Sequence, residues 1–586
     1  MFTKVRIMDI MNALVQKPFV SQRELADRTG YSLGAVNKSL QLLQQEGYID
    51  GVGVPTEKAV SMVAERKPHN AVILAAGYGM RMVPINTEMP KGLLTVYGEP
   101  LIERLICQLQ EVGIFEIYIV VGFMKEQYEY LIDKYGVHLI VNPEYATKNN
   151  LHSLLLAEKH LSNTYVIPCD IWCEKNPFRT TEIYSWYMVT DKLKASSTVR
   201  VNRKKELVMV GDNGNNMIGV SYLMGQTARE VRNRLKTMDA DPACQNAFWE
   251  DTLCGSGKWL TAARVTSASE VIEINTYEQL RMLDENSDQL KTDAIGVICR
   301  TFHAQPSEIT DITVLKKGMT NRSFLFRCKE KRYIMRIPGE GTDALINRVQ
   351  EANVYQTITG LGICDDIVYI DPSNGYKITE FLDDARVCDA ENEQDLRQCM
   401  ARLRAFHDQR LSVEHTFDIF ERIDFYESLW GTIPSVYADY QQTKKNVLSL
   451  RKYIDAHKEA YVLTHIDAVP DNFLFAAKDT DIRLIDWEYA GMQDPHVDIA
   501  MFCIYSLYER NQVDQLIDLY FTEGCTEEKR VKIYCYIAAC GLLWSNWCEY
   551  KRNLGVEFGE YSLRQYRYAK EYYRIVSKAL NGKETK

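Results

Sequence analysis

Two short strings near opposite ends of this 586-residue chain constrain its fold more than any other feature. The first is Ala75-Ala76-Gly77-Tyr78-Gly79-Met80-Arg81, and the second joins His465-Ile466-Asp467, Asn472 and Ile485-Asp486-Trp487-Glu488. Small residues let main-chain N–H groups approach phosphates, whereas carboxylates with an Asn suit cations that bridge phosphates. The chain must therefore build at least two ligand-binding folds. Two phosphate chemistries on one polypeptide suggest consecutive steps of one pathway.

The hydrophobic pattern divides the chain into three segments, 1–66, 67–292 and 295–586. Short helical patterns fill the first segment. In the second, apolar strands such as 71–74 and 117–121 alternate with helical stretches, which predicts a Rossmann-like, doubly wound parallel sheet. The third begins with strand patterns and then becomes helical, which is the order of a bilobal, protein-kinase-like fold. The predicted fold class is multidomain, α/β and α+β.

The first segment has the pattern of a winged helix-turn-helix. Ser21-Gln22-Arg23-Glu24 is a capping box at a helix start, and Ser32 can cap the next helix. The apolar face predicted for that second helix consists of Leu33, Val36, Leu40 and Leu43.

A DNA-binding interpretation of this segment places Asn37, Lys38 and Gln41 in the major groove. Residues 1–66 hold eight Lys/Arg against seven acids, however, so the segment has only one excess positive charge. Phosphate neutralisation supplies much of the affinity for DNA, which makes DNA a weakly supported partner. A docking or dimerisation module with the same fold is the alternative.

The composition restricts the partners and the location. The net charge of −10 disfavours nucleic acid and anionic membranes as general partners. The start has no apolar core of signal-peptide length, and no apolar run suits a membrane span. The fifteen cysteines form no CxxC pair, which is typical of reduced thiols. We therefore expect a cytoplasmic protein, whose oligomeric state stays open and includes a homo-oligomer.

The front string follows a buried strand and precedes Pro90-Lys91-Gly92, where a lysine can neutralise the attacked phosphate. Together these strings resemble the nucleotidyltransferases that join nucleoside triphosphates to sugar phosphates or phosphocholine. The resemblance is nearest to the bacterial phosphocholine cytidylyltransferases and covers most of 70–285. It implies CTP and phosphocholine as substrates and Mg²⁺ as the cofactor.

The resemblance also implies roles for individual residues. Arg81 and Lys91 would be catalytic. The nucleotide would lie near Ala76, Gly77, Gly79, Asn149, Asn150 and Ser153; the metal near Asp170, Glu273 and Asn275; and phosphocholine near Trp249 and Glu250. For Trp249 the alternative is a packed core aromatic. Asn275 stands where the family usually has an Asp, so we expect weaker metal binding or a metal held by Glu273 alone.

The back string has the residue types of a phosphotransferase. Asp467 can accept the proton of an attacking hydroxyl, and Asn472 and Asp486 can hold two Mg²⁺ ions that bridge ATP phosphates. His465 is expected to orient the loop. Upstream, a turn containing Gly318, Thr320 and Asn321 can cover phosphates. Arg336 occupies the place of the lysine that kinases usually carry on a strand, and Glu351 on the following helix is the candidate for its ion-pair partner.

These strings resemble the choline kinase branch of the aminoglycoside phosphotransferase-like family over about 310–575. The resemblance implies ATP and choline as substrates, with Glu380 at the hinge that faces adenine. The residues implied for the amino alcohol are Trp487, Glu488, Trp544, Trp547 and Tyr566. Trp544 and Trp547 are one helical turn apart and can enclose a quaternary ammonium, while aromatic packing into the core is the alternative.

We therefore expect a bifunctional enzyme that phosphorylates choline with ATP and then transfers CMP from CTP to phosphocholine. One alternative keeps both folds but changes the substrates to another amino alcohol or a sugar phosphate. A second alternative is a DNA-binding regulator that senses choline or nucleotide.

Overall fold

The computed structural model describes residues 5–581 except 19, 86–88, 203, 256–257, 316–320, 340–344, 477–480, 555 and 557. It divides into two compact units, Met1–Val297 and Ile298–Lys586. The finer limits 66/67 and 292/295 remain predictions. Within the described ranges, no helix combines the length and the apolar character that crossing a membrane requires.

The first unit opens with a small helical body. Its helices are α1 (Val5–Gln16), α2 (Gln22–Thr29), α3 (Leu33–Gln45) and α4 (Glu57–Ala64). The Ser21 hydroxyl accepts a hydrogen bond from the Glu24 N–H at 3.1 Å, as expected for a helix cap. A short bridge between Ile49 and Pro55 forms the wing. Leu33 is half exposed, so its place on the predicted apolar face was wrong: the core forms on the Val36, Leu40 and Leu43 side of α3.

The rest of the first unit is an α/β body. Its elements are β1 (Asn70–Ala75), β2 (Thr95–Val96), β3 (Glu99–Pro100), α5 (Leu101–Glu111), β4 (Glu116–Val121), α6 (Tyr130–Tyr135), β5 (His138–Val141), α7 (Asn150–Leu156), β6 (Thr164–Pro168), β7 (Ile171–Cys173), β8 (Trp186–Lys194), β9 (Val199–Val201), β10 (Leu207–Met209), β11 (Gly214–Leu223), α8 (Gly225–Asp239), β12 (Cys254–Gly255), β13 (Lys258–Trp259), β14 (Ala262–Thr266), β15 (Val271–Glu273) and α9 (Tyr277–Leu283). Helix α10 (Asp293–Phe302) spans the division between the two units.

The large sheet has the strand order β14-β8-β11-β6-β1-β4-β5. Alternate residues of β1 enter two different cores: Ile73 packs with α5, whereas Val72 packs with α7 and α8. Helices thus cover both faces, which confirms the predicted doubly wound sheet. The sheet is mixed rather than fully parallel, because β11 runs antiparallel to both β6 and β8. The ends of β1 and β6 lie side by side and position the first site.

The second unit has a strand lobe followed by a helical lobe, as predicted. Its elements are β16 (Ile309–Val314), β17 (Asn321–Cys328), β18 (Lys331–Pro338), α11 (Arg348–Ile358), β19 (Ile367–Asp371), β20 (Tyr376–Glu380), β21 (Arg386–Val387), α12 (Glu393–His407), α13 (Ile419–Ser428), α14 (Tyr440–Ser449), α15 (Arg451–His457), β22 (Val462–Thr464), β23 (Phe473–Ala476), β24 (Asp481–Leu484), β25 (Gly491–Gln493), α16 (His496–Tyr505), α17 (Arg510–Tyr520), α18 (Glu527–Asn553) and α19 (Glu560–Asn581).

The strand lobe is an antiparallel sheet with the order β16-β17-β18-β20-β19. The helical lobe is organised around α18, a 27-residue helix that is buried on almost every side. A helix that is apolar all round belongs in the middle of a bundle, and α13, α16 and α19 pack against this one. This architecture confirms the predicted kinase-like fold.

Candidate active sites

The first candidate site begins at the turn after β1. Gly79 has φ of +59°, and a Cβ there would come within 3.3 Å of the Lys91 side chain, so glycine permits the close approach of these two segments. Ala76 is buried, and its carbonyl accepts a hydrogen bond from the Phe123 N–H at 3.0 Å. Gly77 and Arg81 are exposed. The turn therefore leaves a main-chain edge and one cation open to a ligand.

Lys91 lies between two of the residues predicted to hold the metal. Its Nζ donates to Asp170 Oδ2 and, at 2.7 Å, to Asn275 Oδ1. The Ile274 N–H donates to the main-chain oxygen of Asp170 at 2.8 Å, which brings the chain after β15 to the end of β6. Glu273, at the end of β15, is half-buried. The structure thus brings Lys91, Asp170 and Asn275 together.

The donor set fits a magnesium ion that is completed by nucleotide oxygens and water. Asp170 Oδ1 is buried and has no hydrogen-bond partner among the described residues, so one carboxylate oxygen is unused. Groups of three or more His, Cys, Asp or Glu side chains suited to a metal are absent from the described residues. A single carboxylate with an amide oxygen matches the sparse protein coordination of Mg²⁺ at phosphate sites.

The predicted nucleotide contacts on α7 also hold the protein together. The Asn149 side chain accepts from the Asn150 N–H at 2.8 Å, and Asn150 Oδ1 accepts from the Trp249 N–H at 2.9 Å. Ser153 is buried, and its Oγ accepts from Asn142 at 3.0 Å. These bonds fasten the start of α7 to the segment around residue 249. Contact of Asn149, Asn150 and Ser153 with a nucleotide remains a prediction.

Trp249 lies in the core of the transferase, with 1% of its surface exposed. The adjacent Glu250 accepts a hydrogen bond from the Tyr187 hydroxyl at 3.3 Å, and its Oε2 is buried without a partner among the described residues. Burial raises the pKa of Glu250 to about 7, and Glu273 contributes to the same shift. Sequence reasoning missed Tyr187, because it lies within an apolar strand and nothing in the pattern marks it.

The second candidate site is built on the loop between β22 and β23. His465 is fully buried, and its Nε2 lies 3.0 Å from the Ile485 carbonyl. Burial lowers the pKa of His465 to about 4, so the ring is neutral and donates to that carbonyl. Asp498 accepts from the N–H groups of His465 and Ile466 at 3.0 and 2.7 Å. His465 and Asp498 thus both hold the loop by hydrogen bonds, and the orienting role of His465 in catalysis stays a prediction.

Asp467, Asn472 and Asp486 meet in one cavity of about 380 Å³. The Asn472 amide nitrogen donates to the Asp467 main-chain oxygen at 2.9 Å and to Asp467 Oδ2 at 3.2 Å, which leaves the amide oxygen as the atom that can bind a cation. Burial, with Asp486 and Glu488 nearby, raises the pKa of Asp467 to about 8. Crowded carboxylates of this kind suit a site that receives cations, so the residues fit Mg²⁺ bound chiefly through ATP.

The predicted strand cation and helix carboxylate form a bidentate pair. Arg336 binds Glu351 through two contacts of 2.5 and 2.8 Å, and both residues are buried. Burial acts to raise the pKa of Glu351, but Arg336 outweighs it and lowers that pKa to about 2. Arg336 also lies 3.6 Å from Glu488 and 4.0 Å from Asp486. The Asn321 amide donates to Glu488 at 2.8 Å, which ties the strand lobe to the carboxylate cluster.

Aromatic side chains form one wall of the same cavity. Trp544 is perpendicular to Tyr489 and nearly so to Trp547, with ring centroids 5.6 Å apart in each pair. Tyr561 completes this wall. Rings that surround a space beside carboxylates can receive a quaternary ammonium. Trp544 and Trp547 both line this cavity, and their contact with an amino alcohol stays a prediction.

Other predicted contacts lie away from this cavity. Trp487 is fully buried and its Nε1 donates to the Leu484 carbonyl at 2.6 Å, so it is a core residue. The Tyr566 hydroxyl donates to Asp439 at 2.8 Å, and its ring stacks on Tyr437. Glu380 pairs with Lys331 at 2.8 Å. The expectation that Trp487 and Tyr566 face the substrate is corrected on these contacts.

Two predicted residues, Gly318 and Thr320, lie outside the described residues. Conversely, the structure adds cavity residues that sequence reasoning missed: Asp365, Lys377, Tyr489 and Tyr561. Lys377 pairs with Arg336 across adjacent strands, so two cations lie side by side in the wall of the cavity.

Three family models match the chain: Winged helix-turn-helix DNA-binding over residues 6–50, MobA-like NTP transferase domain over 71–178, and Choline/ethanolamine kinase over 312–535. The choline-phosphate cytidylyltransferase of Streptococcus pneumoniae is 32% identical over 221 residues, which are 37% of this chain and 96% of that protein. Protein LicA of Haemophilus influenzae is 28% identical over 261 residues, or 42% of this chain and 96% of LicA.

A third relative differs in the substrate that its name gives. The 2-aminoethylphosphonate cytidylyltransferase of Lancefieldella rimae is 28% identical over 226 residues, covering 37% of this chain and 92% of that protein. Over its transferase part the chain thus belongs to the choline-phosphate cytidylyltransferase family, and it joins that part to a winged helix-turn-helix segment and a choline/ethanolamine kinase domain.

Proposed function

We propose that this protein makes CDP-choline in two steps. The second unit phosphorylates choline with ATP, and the first unit transfers CMP from CTP to the resulting phosphocholine and releases pyrophosphate. The observation that carries this proposal is the single cavity in which Asp467, Asn472 and Asp486 face Trp544 and Trp547. Groups for phosphoryl transfer and groups for a quaternary ammonium thus share one space.

In the kinase step, Asp467 accepts the proton of the choline hydroxyl while the oxygen attacks the γ-phosphorus of ATP and ADP leaves. Arg336, fixed by Glu351, contributes positive charge to the phosphates. Asn472 and Asp486 would hold Mg²⁺, which neutralises the phosphate oxygens when bound. The raised pKa of Asp467 suits an acceptor of protons near neutral pH.

In the transferase step, a phosphate oxygen of phosphocholine attacks the α-phosphorus of CTP, and pyrophosphate is the leaving group. Lys91 offsets negative charge on the attacked phosphate, and the exposed Arg81 contacts the departing phosphates. Asp170 would hold the metal, with Asn275 and Glu273 beside it. No covalent intermediate with the protein is needed, because both reactions are displacements that depend on positioning.

We propose a cytoplasmic location, which the fifteen free thiols support. For the winged helix-turn-helix we propose a docking role, since its exposed α3 surface offers Lys38 as its one cation beside Asn37 and Gln41. DNA and a second copy of the chain are partners to be tested by a gel shift and by the mass in solution.

The test is to incubate the full chain with Mg²⁺, ATP, CTP and labelled choline, and to resolve phosphocholine from CDP-choline over time. We expect phosphocholine first and CDP-choline second. Asp467→Asn should lose the first step yet convert added phosphocholine, whereas Lys91→Met should accumulate phosphocholine. Lys125→Met, at an exposed lysine of the same unit, is the matched control for Lys91→Met.

Competing compounds in the same assay test which amino alcohol and which phosphate acceptor the two units use. Unlabelled ethanolamine in excess should reduce labelled phosphocholine only slightly, since the aromatic wall favours a methylated ammonium. Excess 2-aminoethylphosphonate tests the transferase in the same way. Formation of CDP-ethanolamine or of the phosphonate product at a rate above that of CDP-choline would overturn the choline assignment while keeping both reaction types.

A further inference from the structure

A second cavity, of about 520 Å³, lies inside the first unit where the winged-helix part meets the transferase. Its walls are α1, the end of α2, the chain before β8, and β14. Five cations and one acid line it, namely Lys17, Arg28, Arg179, Lys205, Arg264 and Asp9. None of them belongs to either candidate active site.

The one acid of this cavity is already bound by the protein. Asp9 accepts hydrogen bonds from the hydroxyls of Tyr31 at 2.6 Å and Tyr184 at 2.7 Å, and Lys205 Nζ lies 3.2 Å away. Burial, together with Asp9, raises the pKa of both phenols, so both remain protonated donors. Asp9 thus fastens the winged-helix part to the transferase and offsets Lys205.

Among the described residues, two of the five cations, Lys17 and Arg179, have no ion pair, and Arg28 is paired only with Glu24, at 3.5 Å. Arg264 is neutralised by Glu182 through contacts of 2.8 and 2.6 Å. The three guanidinium nitrogens of Arg28 are shielded from solvent without a hydrogen-bond partner among the described residues, and the nearest carboxylate, Glu24, is 3.5 Å away. Lys17 and Arg179 have no ion pair within 4.0 Å in the described part of the chain.

Guanidinium N–H groups that are shielded from water and have no acceptor lower the stability of the folded protein, and so does the repulsion between clustered cations. An anion that enters the cavity removes both costs. The fork of an Arg side chain matches two oxygens of a phosphate, and the volume falls within the range of about 300–1,000 Å³ typical of small-ligand sites. Apolar side chains are few here, so phosphate oxygens rather than a large apolar group supply the contacts.

We propose that this cavity binds a small phosphate-bearing anion that links the winged-helix part to the transferase. The site is independent of the proposed activity. A ligand in this cavity contacts the transferase and at least one of the helices α1 and α2. Its binding therefore stabilises the contact between the winged-helix part and the transferase. A phosphate ester, a polyphosphate and a nucleotide share the chemistry that Arg28, Lys17 and Arg179 recognise.

The experiment is hydrogen exchange of the full chain, followed in α1 and α2, during titration with sodium pyrophosphate and separately with CTP. These helices report the cavity and not the active sites. We expect either anion to slow their exchange in the wild type. Arg28→Gln and Arg179→Gln should each weaken the apparent affinity by about tenfold, the loss of roughly one charged contact.

Arg23→Gln is the matched control, because Arg23 lies on the same helix as Arg28 but is exposed and outside the cavity. Its titration should match the wild type. Arg179 is exposed, so its variant keeps the test valid if Arg28→Gln fails to fold. The proposal is overturned if neither anion slows exchange, if Arg23→Gln weakens binding as much as Arg28→Gln, or if duplex DNA alone gives protection.

Discussion

Replacing Asp467 by Asn should abolish the kinase step and at the same time stabilise the second unit. In the nucleotide-free protein, burial and the nearby carboxylates of Asp486 and Glu488 oppose the charge of Asp467 and raise its pKa from 3.8 to about 8. Asn has nearly the same shape but carries no charge. The substitution therefore removes repulsion as well as the proton acceptor.

The magnitude follows from the same pKa. At about 1.36 kcal/mol per pH unit, the shift sets a ceiling of about 6 kcal/mol. Asp467 is only half-buried and lines an open cavity, so water screens the repulsion, and we expect about 1–3 kcal/mol. The folded protein keeps a proton that the unfolded chain releases between pH 3.8 and about 8, so wild-type stability falls as pH rises through this window.

Calorimetric melting of the full chain without nucleotide or metal tests this reasoning. The kinase transition is the one that ATP with Mg²⁺ shifts upward. Asp467→Asn should raise the melting midpoint of the kinase transition by about 2–6 °C at pH 8 and by about a third of that increase at pH 5. Phosphocholine formation should fall by about 10²–10⁴. Asp408→Asn, at an exposed site of the same unit, should change neither quantity.

Two results would contradict a raised pKa of Asp467: a lower melting midpoint of Asp467→Asn than of the wild type at pH 8, or a midpoint difference between them that does not increase from pH 5 to pH 8. Either result would mean that Asp467 is stabilised as a carboxylate in the folded protein. Retention of kinase activity would instead refute its role as proton acceptor.

Three further predictions concern the cations and the metal. Lys91→Met should lower CDP-choline formation from phosphocholine by about 10²–10³ in a steady-state assay while phosphocholine formation continues. Asn275→Asp adds a carboxylate beside Asp170, so the Mg²⁺ concentration that gives half-maximal transferase activity should fall about three- to tenfold. An unchanged Mg²⁺ concentration would show that residue 275 does not contribute to metal binding. Arg336→Ala leaves Glu351 buried without its main partner, so the free energy of unfolding of the second unit, measured by denaturant titration, should fall by about 3–5 kcal/mol. Little change in this free energy would show that the pair does not stabilise the fold.

The sequence predicted elements best where local pattern and burial agree. Strand β1 was recognised because its residues are apolar on both faces, as a strand between two helical layers requires. The face of α3 was misjudged at Leu33, because periodicity gives the angle of a helix face but not where the neighbouring helices end. The antiparallel direction of β11 depends on long-range pairing and has no local signal.

Site residues, like strands and helices, could be predicted where local spacing decides their placement, and they were missed where a distant part of the chain decides it. The meeting of Asp467, Asn472 and Asp486 in one cavity could be predicted from their spacing within two loops, while their roles stay predictions. Trp487 follows Asp486 directly, yet its ring points into the core, since consecutive side chains diverge at a residue with φ of +67°. Lys377 was missed because no motif contains it, and only its register opposite Arg336 identifies it.

The two active sites differ in how their charges are balanced before any ligand arrives. In the transferase, Lys91 already pairs with one oxygen of Asp170, and the second oxygen stays buried and unused. A metal there can bind Asp170 without displacing Lys91, but it gains little attraction from a carboxylate that is already paired. In the kinase, Asp467, Asp486 and Glu488 line one cavity. Arg336 lies within 4.0 Å of Asp486 and Glu488, whereas Asp467 has no cation that close among the described residues, so the cluster favours the entry of a further cation. We therefore expect a substrate cation and a metal to complete the kinase cavity, and we expect the nucleotide to supply most of the metal's ligands in the transferase.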